Sequence, residues 1–437
     1  MTHPAILLPK RFNRIFCSFE HCSALRRFAS AAHSKLVVGM FALLCLAPAA
    51  LAGSKYGVIY RFPNETHGYW PRAVITDASG NIYGVTQLGG QFNEGVVYLL
   101  SPPTTKGQPW TRTVLHNFLR GTGGQLCSLV LDQAGNLYGT AYLEGTYGVV
   151  FELSPPSTPG GAWKETNIHT FASWDGWGPT GLVIDQSGTL YGTTYGGGRD
   201  CSGSGCGTVY KLTPPSSHQQ EWKLTTLYFF KGVLGNGNGD GAEPLGLTLD
   251  SNGNLYGTTQ GGGACTPEDG CGGTAFELKE AAKRQNGWVE SVLYRFAPGS
   301  GELLSGVVLD KSGALYGATI SSVYQLALQH GAWAVNTLTS GSYCYYNGLA
   351  INSSGSLYGT TVNCGKSDDG MLFKLSFVQG SWQQTQLHQF IDGSDGRLPY
   401  SPVTLGSDGA VYGTTLEGGE GQCLYSEPCG TVFRVLP

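Results

Sequence analysis

Three pairs of cysteines are the side chains in this sequence whose spacing points most directly to chemistry. Each pair encloses only four or five residues. In an exported chain such short loops predict disulfide bonds, and zinc is the second interpretation because no Cys-x-x-Cys occurs. The predicted pairs are Cys201 with Cys206, Cys265 with Cys271, and Cys423 with Cys429.

Among residues 53–437, three further cysteines lie outside these short loops. Cys344 and Cys364 are each ten residues from Ser354, which occupies the tip of a predicted hairpin. Antiparallel pairing places the two cysteines opposite one another, so we expect a cross-strand disulfide. Cys127 is left over, and we expect it to be a buried free thiol.

Aromatic residues outside the repeated positions of the sequence could form a binding surface. Exposed Trp and Tyr side chains offer flat area at little entropic cost, and both sugars and extended peptides use such platforms. The alternative is that these rings plug the centre of the fold or pack between its repeated units. The candidate ligand-binding residues are Trp70, Tyr69, Trp174, Trp177, Tyr345, Tyr346 and Tyr400, together with Asp175.

An acid–base mechanism would need carboxylates or histidines that depart from the repeat. Glu65, Glu144, Glu417 and His67 meet that condition. The sequence contains no G-x-S-x-G, H-E-x-x-H or phosphate-loop pattern. We therefore assign no catalytic residue, no metal ligand and no cofactor from the sequence.

Two sets of polar residues recur along the chain, and recurrence favours a structural role. In one set His alternates with Tyr two residues before a repeated Phe, which indicates packing. In the other set Asp opens an Asp-Gly-x-x-Pro segment, which indicates a turn. The histidines are His116, His169 and His388, and the aspartates are Asp175, Asp240 and Asp395.

A hairpin motif repeated seven times must position all of these residues. Each copy has a Tyr-Gly pair with a second Gly three residues before the Tyr, and usually an Asp six residues before it. Apolar, β-rich arms around a Gly-containing turn predict a β-hairpin. The tyrosines are Tyr83, Tyr138, Tyr191, Tyr256, Tyr316, Tyr358 and Tyr412.

Two more strands complete each unit, and their arrangement predicts a closed ring. A third strand resembles GTVYKL, and a fourth runs from a repeated Trp to a Phe. Six such Trp strands occur, whereas the seventh fourth strand lies at the front of the domain, in residues 55–62. The sequence therefore predicts an all-β, seven-bladed β-propeller with four strands per blade, whose last blade is closed by the N-terminal strand. A right-angled β-solenoid is the alternative.

Composition and the first 52 residues indicate where the protein is located. The chain has 437 residues, of which 67 are Gly, and a formal charge of −4. Residues 36–52 form a short apolar run after basic residues and end in Ala-Leu-Ala, which predicts a signal peptide cleaved after Ala52. We expect residues 53–437 to be a single propeller domain, secreted or periplasmic and monomeric. An acidic chain argues against a nucleic-acid partner, and nothing later in the sequence would span a membrane.

The repeat resembles that of the extracellular GloVer tandem-repeat proteins, in which GNLYGTT is followed by a Gly-Gly loop and GTVFKL. Residues 136–140, 254–259 and 207–212 match this pattern well. The resemblance covers the whole mature chain. It implies export, sometimes with a C-terminal anchoring sequence, and it supplies neither an activity nor catalytic residues.

Two classes of function follow from these observations. The first is a non-catalytic, exported binding or scaffold propeller that meets an extracellular glycan or partner protein through its aromatic, disulfide-pinned loops. The alternative is an extracellular polysaccharide hydrolase or lyase that uses acidic residues at the mouth of the propeller channel. Propellers host both classes, so the fold cannot choose between them.

Overall fold

The computed structural model describes residues 55–437 except 120–123, 143–145, 159, 200–205, 217–220, 233–238, 267–269, 282–286, 300–302, 304, 342–343 and 424–427. These residues form seven four-stranded antiparallel sheets and one small two-stranded sheet. The sheets are arranged in a ring as a seven-bladed β-propeller, which confirms the predicted fold. The predicted signal peptide lies outside the described residues and stays a prediction.

Blades 1 to 4 follow one another along the chain, and each blade pairs its strands in sequence order. Blade 4 carries an extra short hairpin between its second and third strands. The strands of blade 1 are β2 (Tyr69–Thr76), β3 (Ile82–Leu88), β4 (Val96–Ser101) and β5 (Thr111–Asn117); those of blade 2 are β6 (Gln125–Leu131), β7 (Leu137–Tyr142), β8 (Val149–Ser154) and β9 (Lys164–Thr170); those of blade 3 are β10 (Trp177–Ile184), β11 (Leu190–Gly196), β12 (Thr208–Thr213) and β13 (Lys223–Phe229); and those of blade 4 are β14 (Ala242–Leu249), β15 (Leu255–Gly261), the hairpin strands β16 (Cys265–Thr266) and β17 (Gly270–Cys271), β18 (Thr274–Glu280) and β19 (Trp288–Arg295).

Blades 5 to 7 have very short first strands. Two short 3-10 helices, Glu65–His67 and Gly393–Asp395, lie in loops that lead into blades 1 and 7. The strands of blade 5 are β20 (Val308–Leu309), β21 (Leu315–Ala318), β22 (Ser322–Gln329) and β23 (Ala332–Ser340); those of blade 6 are β24 (Ala350–Ile351), β25 (Leu357–Thr361), β26 (Met371–Val378) and β27 (Ser381–Gln389); and those of blade 7 are β28 (Thr404–Leu405), β29 (Val411–Thr415), β30 (Thr431–Leu436) and β1 (Lys55–Arg61).

The ring closes through blade 7, as the sequence predicts. Its fourth strand is β1, which pairs antiparallel with β30 from Lys55 opposite Leu436 to Arg61 opposite Thr431. The innermost strand of blade 1, β2, contacts both β28 and β29 of blade 7. Closure removes the open sheet ends that a linear stack of blades would expose.

The repeated hairpin turn is held by its own side chains. In blade 5, Asp310 Oδ1 accepts the backbone N–H groups of Ser312 and Ala314 at 2.8 and 3.0 Å. Its other oxygen accepts the Tyr316 hydroxyl at 2.9 Å, and Gly313 takes a positive φ of 88°. The same bonds recur in blades 1 to 4. The Asp and Tyr of the repeat are therefore two ends of one turn, which explains their fixed spacing.

The Gly after each repeated Tyr is required by close packing. A Cβ on Gly257 would lie 2.5 Å from the Phe276 ring of the neighbouring third strand, and one on Gly192 would lie 2.3 Å from the Tyr210 hydroxyl. Five other blades place a Phe or Tyr in the same way. Because Gly has no side chain, a large aromatic ring from the third strand can fill the blade core at this position.

Neighbouring blades are joined by the threonine that follows each Tyr-Gly pair. Thr193 donates its hydroxyl to Leu245 O at 2.7 Å, and Thr258 donates to Ser305 O at 2.8 Å. Thr360 and Thr414 make the equivalent bonds to the next blade. In four blades the repeated Trp also packs on the repeated Tyr of the preceding blade, as Trp222 does on Tyr138 at a centroid distance of 5.6 Å.

Candidate functional site

Two sets of loops define the loop face, which the sequence indicates as the binding face. They connect strand two to strand three within each blade, and strand four to strand one of the next blade. One backbone hydrogen bond joins the two sets: the N–H of the Phe after strand four donates to the carbonyl oxygen of the Gly before strand three. Phe118 donates to Gly95 O at 3.2 Å, and Phe171 donates to Gly148 O at 2.9 Å. The loop face is therefore anchored on the same regular framework as the blades.

The recurrent aspartates of this face serve as turn anchors. Asp175 Oδ1 accepts the Ala172 N–H at 2.7 Å, and its Oδ2 lies 3.1 Å from His169 Nε2. Asp395 contacts His388 in the same way, and Asp240 accepts the Tyr228 hydroxyl at 2.6 Å. His and Tyr are interchangeable here because each offers a polar atom to the same carboxylate. The turn role predicted for these aspartates is confirmed by these bonds.

The predicted aromatic candidates separate into exposed and buried residues. Trp174 is 63% exposed, whereas Tyr69, Tyr346 and Asp175 are buried at 2% exposure or less. The expectation that all eight form an exposed platform is therefore wrong for these three. Tyr346 packs on Phe373 with ring centroids 5.6 Å apart, as the packing alternative predicts.

The other four candidates are half-buried. Trp177 lies over Gly196 and beside Tyr195, with ring centroids 5.6 Å apart. Trp70 packs on Tyr69 at 5.1 Å and takes a positive φ of 58°. The backbone of Tyr345 bridges the Ile320 carbonyl and the Val362 N–H. The fourth is Tyr400. Of the eight candidates, Trp174 thus presents the largest open surface.

A buried cation lies where blade 1 meets blade 7. The Nε and Nη2 groups of Arg72 both donate to Gln87 Oε1, at 3.2 and 3.1 Å. The guanidinium carbon lies 5.2 Å from the ring centroid of Tyr400, which makes a cation–π contact. Burial lowers the pKa of Arg72 to about 10. Sequence reasoning missed Arg72, and its signal is a charged residue inside a first strand that is otherwise apolar.

Carboxylates surround one arginine on the blade 6 and blade 7 side of the loop face. Arg397 Nη2 lies 2.5 Å from Glu417 Oε2, and its Nε lies 3.7 Å from Asp392 Oδ1. Burial and the negative charge of Asp392 raise the pKa of Asp369. Glu417, one of the candidate acid–base residues, is therefore held in an ion pair.

The remaining acid–base candidates lie elsewhere. Glu65 and His67 share the short 3-10 helix before blade 1, and His67 Nδ1 contacts Asn64 Oδ1 at 2.7 Å. Burial and nearby Arg112 lower the pKa of His67. Glu144 lies outside the described residues. Within the described ranges, no group of three or more His, Cys, Asp or Glu side chains could hold a metal ion.

Four exposed apolar side chains lie on four consecutive loops of blades 1 and 2. They are between 42% and 63% exposed. Backbone bonds join these loops in two pairs, because Gly124 N donates to Glu94 O at 2.9 Å and Gly178 N donates to Tyr147 O at 2.9 Å. We call this set the apolar sector; it consists of Phe92, Leu119, Tyr147 and Trp174.

The sequence pattern of this chain corresponds to a defined repeat family. The profile of the Gloeobacter/Verrucomicrobia repeat matches residues 46–204 and 110–325. The chain belongs to this family. The GloVer resemblance drawn from the Tyr-Gly-Thr-Thr motif is thereby confirmed. Comparison with curated proteins finds no match for this Gloeobacter/Verrucomicrobia repeat protein.

Solved structures share the fold of this repeat protein at low identity. A streptogramin B lyase is 13% identical, with 89% of this chain and 99% of that chain covered and a TM-score of 0.54. Virginiamycin B lyase from Staphylococcus aureus is 10% identical, with 88% and 100% covered and a TM-score of 0.53. The extracellular domain of a one-component system from B. thetaiotaomicron is 10% identical, with 86% and 40% covered and a TM-score of 0.52. At such identities the likeness shows the fold alone.

Three predicted disulfides are present in the repeat protein. They are Cys265–Cys271, Cys344–Cys364 and Cys423–Cys429. Such bonds are typical of an oxidising extracellular or periplasmic compartment. No helix among the described residues is long and apolar enough to cross a membrane.

Two other cysteines test the predicted pairing further. Cys206 is disulfide-bonded, and its predicted partner Cys201 lies outside the described residues. Cys127 is also disulfide-bonded and only half-buried, so the prediction of a buried free thiol is wrong. Cys127 follows the position that other blades fill with Pro, and this placement gave no signal for a bond.

Proposed function

We propose that this protein is an exported, non-catalytic binding propeller that docks an extracellular partner protein through the apolar sector. The observation that carries the proposal is the presence of four exposed apolar side chains on four consecutive loops, which backbone bonds join in two pairs. Clusters of exposed apolar side chains mark interaction sites on soluble proteins. Aromatic side chains such as Tyr147 and Trp174 are enriched among the residues that dominate binding energy.

The chemistry of the sector favours a protein over a glycan as the partner. Sugar rings stack on aromatic faces, whereas an aliphatic side chain offers them no such face. The apolar sector includes Leu119, which is 50% exposed, beside its three aromatic residues. A mixed aromatic and aliphatic surface resembles the core of a protein interface.

A non-catalytic role is supported by the state of the polar groups. Asp175, Asp240 and Asp395 are committed to turns, and Glu417 is committed to Arg397. The polysaccharide hydrolase or lyase alternative needs two acidic groups free to exchange protons at one place. Glu65 and His67 lie in the short 3-10 helix before blade 1, whereas Glu417 is paired with Arg397, so that alternative has no specific support.

The proposal is tested by capturing partners from the compartment into which the protein is exported. Immobilised wild-type protein is compared with the Trp174→Ala and Leu119→Ala variants, and affinities for the captured protein are then measured by calorimetry. We expect each variant to weaken binding by about tenfold or more. Phe377→Ala is the matched control, because Phe377 is 62% exposed but lies on the opposite face.

Three results would count against the proposal. Equal capture by wild-type protein and Trp174→Ala would remove the apolar sector from the interface. Equal loss in the Phe377→Ala control would indicate a nonspecific surface effect. Glycan-array binding that Trp174→Ala abolishes would show that the loop face recognises a sugar and not a protein.

A further inference from the structure

We propose that a groove at the junction of blades 7 and 1 binds a short oligosaccharide. The groove has a volume of about 570 Å³ and is lined by both aromatic and charged side chains, including Lys55, Tyr56, Trp110, Asp408 and Arg434. This volume lies within the usual range for small-molecule sites. The groove opens on the face opposite the apolar sector, beside the turns at residues 78–80 and 407–409.

The groove exists because the closing blade departs from the repeat in its connection. In the other six blades a loop or hairpin joins strand three to strand four. In blade 7 these strands are β30 and β1, which come from distant parts of the chain and are joined only by their ladder. Among the described residues, no loop connecting strands three and four covers the space beside Trp110 in this blade.

A second departure is Gly57 in β1. At this position the other six fourth strands have Thr113, Thr166, Thr225, Ser291, Asn336 and Thr385. Gly57 is directly opposite Arg434 in the ladder, and a Cβ there would meet no atom within 4 Å. Cross-strand partners share one face of a sheet, so the missing side chain uncovers Arg434.

A third departure moves the turn carboxylate. The first turn position holds Gly406 in this blade, and Asp408 two residues later takes over the bond to the Tyr412 hydroxyl at 2.9 Å. Arg434 Nη2 lies 2.7 Å from the same carboxylate. The Asp408 side chain is 40% exposed and the Arg434 side chain 29% exposed, so both polar groups are reachable from the groove.

Together these residues match the chemistry of a sugar. The adjacent carboxylate and guanidinium offer acceptors and donors for two neighbouring hydroxyl groups. Trp110, which packs on Tyr412 with centroids 6.5 Å apart, offers an apolar ring to the C–H face of a sugar. Lys55 at the edge of β1 adds a positive charge that a uronate carboxylate would meet.

Calorimetric titration of the full mature protein with cellobiose, chitobiose and digalacturonate tests the proposal. We expect at least one disaccharide to bind with a Kd of about 1 mM or tighter. Gly57→Thr restores the residue of the other blades and fills the groove, so we expect affinity to fall about tenfold while the melting temperature holds. If digalacturonate is the tightest ligand, Lys55→Gln should weaken its binding alone.

The control separates this site from the proposed docking function. Trp174→Ala, on the opposite face, should leave disaccharide binding unchanged. The proposal is wrong if no disaccharide binds at about 10 mM, or if Gly57→Thr binds as well as wild type. It is also wrong if Trp174→Ala abolishes the binding, because the sugar would then occupy the loop face.

Discussion

The two faces of the propeller are built by the same repeat but use it differently. The turn face lies opposite the loop face and carries the turns of the repeated hairpins. On it, one Asp in each of blades 1 to 5 accepts two backbone N–H groups and one Tyr hydroxyl, as Asp77 and Asp132 do. On the loop face the anchoring bonds repeat, but the residues outside them do not. Asp392 and Arg397 place charges on one part of that face, beside the exposed Ile391, whereas the apolar sector exposes Trp174 and three other apolar side chains on another part.

This difference indicates which positions of a repeat protein stabilise the fold and which are available for binding. Positions that recur are those whose bonds or packing hold a blade, so a change there should affect folding. Positions that depart from the repeat are free of that constraint and can vary with the ligand. The groove at blade 7 extends this principle to the turn face, because its polar groups are the ones that have moved.

The largest expected effect on stability that tests this difference comes from a disulfide of the loop face. Cys344 and Cys364 are 20 residues apart in sequence, and their bond closes the whole sixth hairpin. Replacing both with Ala should lower the free energy of unfolding by about 3 kcal/mol, since long loops lose most entropy on crosslinking. Urea unfolding measures the change.

The matched change is the double Ala variant of Cys423 and Cys429, which are six residues apart. It should cost about 2 kcal/mol, because the loop is shorter. A larger cost for this pair than for Cys344–Cys364 would contradict the loop-entropy explanation.

A core glycine gives the next largest effect. Gly257→Ala should destabilise the protein by about 2 kcal/mol, because its methyl group would meet the Phe276 ring at 2.5 Å and force the blade core apart. Chemical denaturation measures the loss. Gly57→Ala is the control, since the new methyl group meets open space and the strand should tolerate it.

The turn bonds give a smaller and pH-dependent effect. Burial acts to raise the pKa of Asp310, but hydrogen bonds from Ser312, Ala314 and Tyr316 outweigh it and hold the pKa below its ordinary value. A carboxyl group with a lowered folded pKa adds stability above its unfolded pKa of about 4, and that stability is lost as pH falls further.

Tyr316→Phe removes one of these bonds. We expect a loss of about 1 kcal/mol at neutral pH that becomes smaller as the pH falls below the unfolded pKa of about 4 and Asp310 is protonated. Melting temperatures measured between neutral and acidic pH check both values. A loss that is the same at every pH would show that the hydroxyl does not act through Asp310.

Sequence alone predicted the ring because the Tyr-Gly hairpin motif occurs seven times. The split last blade was readable since residues 55–62 match the other fourth strands. The binding face was less predictable, because aromatic residue type does not reveal exposure. Tyr69 and Tyr346 look like surface candidates in sequence, but they fill the core where loops meet. Arg72 was missed because its contact with Tyr400 joins residues more than 300 positions apart.

The smallest expected effect on stability is at Trp174, so this residue separates a binding role from a structural role most clearly. Its side chain is 63% exposed, so Trp174→Ala should change the free energy of unfolding by less than about 0.5 kcal/mol. The buried Asp175 beside it holds the Ala172 N–H and contacts His169, so Asp175→Ala should instead destabilise the loop by about 1 to 3 kcal/mol. Calorimetric melting of both variants, measured together with partner affinity, distinguishes a residue that binds the partner from one that stabilises the loop. If Trp174→Ala destabilised the protein as much as Asp175→Ala, the indole would be a structural element, and the apolar sector would lose the residue on which its proposed binding role depends most.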